Sequence, residues 1–185
     1  MDMEIKAIEP EQEKKVTPQM ALANIPCLDM FLLDTAWKLI KPVEEEFAKL
    51  SLGEYTIWDV YLSILYGGKH LYLAYLDSEG KVGHDQFRPY VLNCLAKNWV
   101  EKWMGFMILE FGKTEMHIFQ AFIAPEYQKT DALQRGLEWL KEEAKSKGAP
   151  ALSFDAYAER TGWDKIGPKL GFQKINSRFR ISLKE

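Results

Sequence analysis

The sequence predicts one α/β domain, a mixed central sheet flanked by helices, and three observations predict it. Short β-type runs at 71–76, 103–111, 116–123 and 151–156 are interleaved with segments of helical period. Two of those runs are joined by Gly112-Lys113-Thr114-Glu115, a length and composition suited to a hairpin. Helices alternating with strands imply a sheet covered on its faces, with right-handed crossovers where neighbours run parallel. The third observation is size and composition: 185 residues, 47% hydrophobic and 28% charged, suffice for one substantial core and match no disordered or fibrous class.

Each element has its own signal. Loose alternation over 3–8 suits a short strand that Pro10 ends. Between 28 and 50, Phe31, Leu32, Trp37, Ile40, Val43, Phe47 and Leu50 follow a helical period, with Pro42 forcing a kink or a break, so one or two helices are expected. Thr56 reads as an N-cap for Ile57, Val60, Tyr61, Ile64 and Leu65, and Gly67-Gly68 closes that helix. The apolar run 71–76, bounded by Asp77-Ser78-Glu79-Gly80, is a buried strand and the expected first strand of the sheet. Val91, Leu92, Leu95, Trp99 and Trp103 lie at spacings that predict a helical insertion over 81–103.

After the hairpin, Leu133, Leu137, Leu140 and Ala144 mark one face of a helix that Gly148 terminates. A short strand at 151–156 follows, then a short helix at 161–170 interrupted by Pro168, then a strand pair or one long strand at 172–183. No repeat divides the chain, so 1–185 reads as a single domain.

Composition narrows the function. A net charge of −3 without a Lys/Arg cluster gives no footprint for a phosphate backbone, so nucleic acid is not an expected partner. Cys27 and Cys94 have no nearby Cys or His at ligand spacing, and His70 and His84, in or beside loops, add none; no metal site is expected. The first residues lack a basic segment followed by an apolar one, and no apolar run is long enough to span a bilayer. Neither export nor a membrane span is expected. The local orders of a serine hydrolase, a P-loop and a dinucleotide fold are also missing.

The informative stretch is 122–172. Ile123-Ala124-Pro125-Glu126-Tyr127-Gln128 precedes the amphipathic helix, and Lys169-Leu170-Gly171-Phe172 follows the later strand. Together these resemble the acyl-CoA N-acyltransferase (GNAT) superfamily, in which a V-x-P-E-Y-like phrase leads into R/Q-x-x-G-x-G/A and an L-G-F phrase comes near the end. The order of elements covers most of the chain, the phrases about its last third. The resemblance implies an acetyl-CoA-dependent N-acetyltransferase whose helix N-terminus receives the cofactor pyrophosphate on exposed amides. It assigns the cofactor to Ile123, Gln128, Lys129, Thr130, Asp131 and Ala132.

Asp131 and Leu133 stand where the family has glycines, and Gly167 stands where it has its usual tyrosine acid. A carboxylate there repels a pyrophosphate, Lys129 offers a compensating cation, and Thr130 can cap the helix or donate its hydroxyl. A further resemblance, to GNAT-like proteins of tailed bacteriophages, rests on Gly53-Glu54-Tyr55-Thr56-Ile57-Trp58-Asp59-Val60 and Arg160-Thr161-Gly162-Trp163. It implies an alternative: a phage virion or host-interaction protein without acetyl-CoA chemistry, located in the particle or the host cytoplasm and binding protein partners.

Three residues are expected to carry proton transfer. His117 holds the position of the catalytic glutamate in histone-acetylating relatives, and a neutral imidazole can deprotonate an amine; as a plain strand histidine it would do nothing. Glu110, on the facing strand, is a second base or simply a solvated carboxylate. Tyr157 is the tyrosine placed to replace the missing acid, or else packs. The acceptor is an amine, small or on a protein, that the sequence does not specify.

Overall fold

The computed structural model describes residues 19–25, 27–51, 53–77, 103–155, 165, 167–175 and 178–182. Several expectations fall outside these: the strand at 3–8, all but the last residue of the 81–103 insertion, Tyr157, the phrase Arg160-Thr161-Gly162-Trp163, and residues 161–164 and 166 of the short helix expected at 161–170. Within them lie seven strands, β1 (Gln19–Ile25), β2 (His70–Asp77), β3 (Trp103–Phe111), β4 (Met116–Ile123), β5 (Ala151–Asp155), β6 (Gln173–Ile175) and β7 (Arg178–Ser182). Three α-helices accompany them, α1 (Met30–Leu50), α2 (Ile57–Leu65) and α3 (Ala132–Ser146).

The strands form one mixed sheet in the order β1-β2-β3-β4-β5-β7-β6. Every neighbour is antiparallel except β4 and β5, which run parallel because α3 carries the chain back between them. Two corrections follow. The run at 71–76 is not the first strand: β1 precedes it and pairs with it from Gln19↔Asp77 to Ile25↔Leu71. Gln-Met-Ala-Leu-Ala-Asn-Ile has no clean alternation and is rich in helix formers, so pairing with β2 decides its conformation. Trp103 opens β3 rather than closing an inserted helix, opposite Tyr75.

Alternation along the strands sends side chains to two cores. Leu71, Leu73, Tyr75, Phe106 and Ile108 meet Leu33, Ile40, Val60 and Ile64 under α1 and α2. Tyr72, Met107, Leu109, Met116, Ile118 and Leu152 meet Leu137, Leu140 and Ala144 under α3. Tyr72 also donates to Glu143 Oε1 at 3.2 Å and packs edge-on against Trp139, tying α3 to the middle of the sheet. Burial and the adjacent Glu143 carboxylate push the phenol's pKa well above its ordinary range, so Tyr72 stays a donor.

Helix α1 runs unbroken through Pro42. Pro42 and Lys38, whose carbonyl would have received the missing N–H, both lie on the solvent face, where water can satisfy that carbonyl. Asp29 caps the start by accepting from Leu32 N at 3.2 Å. Thr56 caps α2 as expected, in a reciprocal box: Asp59 N donates to Thr56 Oγ1 at 3.3 Å and Thr56 N to Asp59 Oδ2 at 2.7 Å.

Two irregularities shape the sheet. The β2–β3 register shifts between Ala74 and Tyr75, leaving Met104 as an extra residue just before Gly105. The β3–β4 register shifts between Ile108 and Leu109, leaving Phe119 extra in β4. That bulge puts Phe119 and Gln120 on the same face of the sheet, the one under α1, where strict alternation would have separated them.

Candidate active site

The parallel ladder between β4 and β5 is short: Met116↔Leu152, His117↔Ser153 and Ile118↔Phe154. Beyond Ile118 the strands part. Ala124 N donates to Met104 O of β3 at 2.8 Å, so the alternation of backbone groups turns the N–H and C=O of Ile123 to the opposite side, where β5 no longer follows. The carbonyl is taken by Gln128 Nε2 at 3.0 Å.

The gap holds a cavity of about 400 Å³. Its lining includes Ile118, Ile123, Ala132, Leu133 and Leu137 from the α3 side and Val43, Glu46, Phe47, Phe119 and Gln120 from the α1 side. The cavity therefore reaches both faces of the sheet through the splay. Asp155 of β5 and the first turn of α3 also border it.

That turn is built from the tetrapeptide the sequence singled out. Pro125–Tyr127 form a 3-10 turn directly after β4, and Gln128 closes it and lines the cavity. Lys129 is exposed. Thr130 Oγ1 donates to Tyr127 O at 2.7 Å and accepts from Ala132 N at 3.2 Å, so the hydroxyl supplies the helix cap. Asp131, the N-cap residue, makes no side-chain cap; its Oδ2 instead pairs with Arg135 Nε at 2.7 Å. The local negative charge is thereby offset by a cation one turn along. Arg135 N is bonded to Asp131 O, which leaves the Leu133 and Gln134 amides as first-turn donors without an acceptor among the described residues.

His117 projects on the α1 side of the sheet at the start of the ladder. Its Nδ1 lies 2.9 Å from Ser153 Oγ and its Nε2 3.6 Å from Asp155 Oδ2. Ser153 is fully buried, so this Ser-His-Asp array cannot present a nucleophile; Asp155 is the member that borders the cavity. Glu110 sits opposite His117 in the register, but its carboxylate points to Lys69 Nζ at 3.3 Å, and that ammonium also lies 4.3 Å from the Phe119 ring centroid. His117 and Glu110 are brought together as cross-strand neighbours beside the cavity rather than inside it.

Sequence reasoning passed over Glu44. It is 0% exposed, and among the described residues neither carboxylate oxygen has a hydrogen-bond partner of good geometry. The Gln120 carboxamide lies beside it; its Nε2 donates to Tyr55 Oη at 2.6 Å, and its Oε1 has no donor among the described residues. Burial pushes the Glu44 pKa from 4.5 up to about 7, against a smaller lowering from Gln120. The signal was present: Glu44 follows Ile40 by four and precedes Phe47 by three, on the buried stripe of α1. Asp155 and Arg135 were also missed, because their roles come from strand register and from a helical turn.

No family model matches the chain, and no curated protein matches it. Solved structures do. A ribosomal-protein-S18-alanine N-acetyltransferase from Escherichia coli is 14% identical, with a TM-score of 0.57 over 90% of this chain and 96% of that one. A GNAT-family acetyltransferase from Staphylococcus aureus Mu50 is 10% identical, with a TM-score of 0.56 over 90% and 100%. An aminoglycoside 6'-N-acetyltransferase in complex with coenzyme A is 11% identical, with a TM-score of 0.55 over 89% and 98%. These likenesses establish a GNAT-like fold for the chain.

Proposed function

We propose that the protein is an acetyl-CoA-dependent N-acetyltransferase that binds its cofactor in the β4–β5 splay. The observation that carries this reading is the splay itself: it opens an apolar passage through the sheet, bordered by the turned-out Ile123 N–H and ending at a helix N-terminus. The solved structures of this fold include one complexed with coenzyme A, which supports the choice of ligand. Among the described residues no helix is long and apolar enough to cross a membrane.

Bound acetyl-CoA would supply an activated acyl thioester. Gln128, Lys129 and the Leu133 and Gln134 amides would hold its phosphates, and the Ile123 N–H would stabilise negative charge developing on the acyl oxygen. Asp155, backed by His117, takes the proton released from the attacking amine; Ser153 holds the imidazole in place. Glu110 fixes Lys69 over Phe119 and so shapes the wall. Tyr157 is the donor to the departing thiolate.

Calorimetric titration with acetyl-CoA tests the reading. Binding in the micromolar range is expected, and Asp131→Asn should tighten it by roughly three- to tenfold, because removing the carboxylate frees Arg135 to face the phosphates. Failure to bind at millimolar acetyl-CoA would sink the proposal. One observation favours the alternative of a GNAT-like protein without transfer chemistry, in a virion or at a host partner: Thr130 has already capped the Ala132 amide that a pyrophosphate would use. Under that alternative acetyl-CoA does not bind, and the protein is found by mass spectrometry in purified particles.

A further inference from the structure

Val43, Glu46, Phe47 and Leu50 recur at i, i+3, i+4 and i+7, and all four line the cavity, so one face of the C-terminal half of α1 is turned to it. Three are apolar; the fourth is an exposed carboxylate. Glu45, next along the helix, pairs with Lys41 at 3.9 Å, whereas Glu46 makes no ion pair among the described residues. The other acid in the lining is Asp155 of β5, on the same face of the sheet as His117 and also exposed.

Among the described residues that line the cavity, Glu46 and Asp155 are the only charged ones, so the wall is negative wherever it is charged. The uncharged polar side chains agree with this. Gln128 Nε2 donates to Ile123 O at 3.0 Å and Gln120 Nε2 to Tyr55 Oη at 2.6 Å, so both carboxamide NH2 groups are engaged. Gln120 Oε1 is buried with no donor among the described residues and adds negative partial charge behind the wall. Lys69 lies against Phe119, but it is paired with Glu110 and does not line the cavity. A ligand on the α1 side is therefore matched by positive charge and N–H donors, not by an anion.

We propose that Glu46 selects an acceptor with a second positive charge: a diamine whose reacting amine goes to Asp155 and whose far ammonium is held at Glu46. The transfer step rests on the transferase reading above; the preference for cations rests on the lining of the cavity alone. Two acids on separate elements, in an otherwise apolar lining, suit two charges joined by methylenes. Val43, Phe47 and Leu50 take the carbon chain, as apolar surface takes the stem of a lysine. Glu46 is a specificity residue and handles no proton. Because it is exposed, its contribution to affinity is a factor of about two to five.

Calorimetry on the full chain at neutral pH tests this, with α,ω-diamines from propanediamine to decanediamine and with the n-alkylamines and ω-amino acids of equal length. The three series share one amine and differ in the far group, so their order reads the far site. At the best-fitting length the wild type should bind the diamine about two- to fivefold more tightly than the monoamine, and the amino acid more weakly than either. Glu46→Gln should equalise diamine and monoamine, and Glu46→Lys should put the amino acid first. Position 46 is exposed on α1, so both variants should fold. Equal binding of diamine and monoamine by the wild type at every length, no diamine binding at millimolar concentration, or an unchanged order in Glu46→Lys each overturns the proposal. Acetyl-CoA titrated separately tells the two readings apart. Diamine selectivity with no cofactor binding leaves Glu46 as a diamine site and removes the transfer step; cofactor binding with no diamine selectivity does the reverse.

Discussion

Alanine at position 105 is expected to destabilise the fold by about 3 kcal/mol or more, the largest effect of any single methyl group added to the sheet. An ideal Cβ on Gly105 falls 2.0 Å from Phe122 O and 3.0 Å from Phe122 C, against backbone that no rotamer change can move. Gly105 also has φ +155, a conformation L side chains rarely adopt. Relief would require β3 and β4 to separate where Gly105 pairs with Ile123, beside the turned-out amide of the proposed site. Urea unfolding of Gly105→Ala is the measurement. Gly53→Ala, where φ is +90 but nothing lies within 4 Å, should cost only about 1 kcal/mol. Similar losses in both variants would show that backbone angle, not strand approach, makes position 105 a glycine.

The second large effect is a pH dependence of stability from Glu44. Its folded-state pKa of about 7 lies above the ordinary glutamate value of 4.5, so between those values the folded protein holds a proton that the unfolded chain has released. Stability contributed by this group therefore falls as pH rises from 4.5 to 7 and levels off above it. The total loss is about 3 kcal/mol. Glu44→Gln removes the titration, so the variant should be more stable than wild type at pH 8 and should gain little or nothing at pH 4.5. Thermal or urea unfolding at the two pH values decides it. Parallel pH profiles for the two proteins would mean that the carboxyl finds a partner when ionised.

How much of this was legible in the sequence depends on whether the signal was local. The N-cap at Thr56, the hairpin at 112–115, α3 with Gly148 behind it, and β-structure after Phe172 could be read because each is written in neighbouring residues; whether that last stretch was a strand pair or one long strand could not. Strand β1 could not, because Gln-Met-Ala-Leu-Ala-Asn-Ile takes its conformation from Leu71 to Asp77. The site divides the same way. The loop 128–132 was found from its resemblance, and its position at the end of the cavity follows from β4. What its side chains do was hidden: Asp131 looked like an uncompensated charge until the helix brought Arg135 within 2.7 Å. Gln120 was invisible because the Phe119 bulge, a property of the pairing with β3, turns it toward Glu44.

The parallel ladder of Met116, His117 and Ile118 with Leu152, Ser153 and Phe154 is also the seam of the sheet. It is the only pairing that joins the meander β1–β4 to the terminal unit β5–β7–β6 among the described residues, and it is three residue pairs long. What carries the load across so short a seam is the core beneath it: Leu152, Phe154 and Phe172 share one apolar cluster with Met116, Ile118 and the buried face of α3, so side-chain packing, more than backbone pairing, keeps the two parts of the sheet together beside the gap that begins at Phe119.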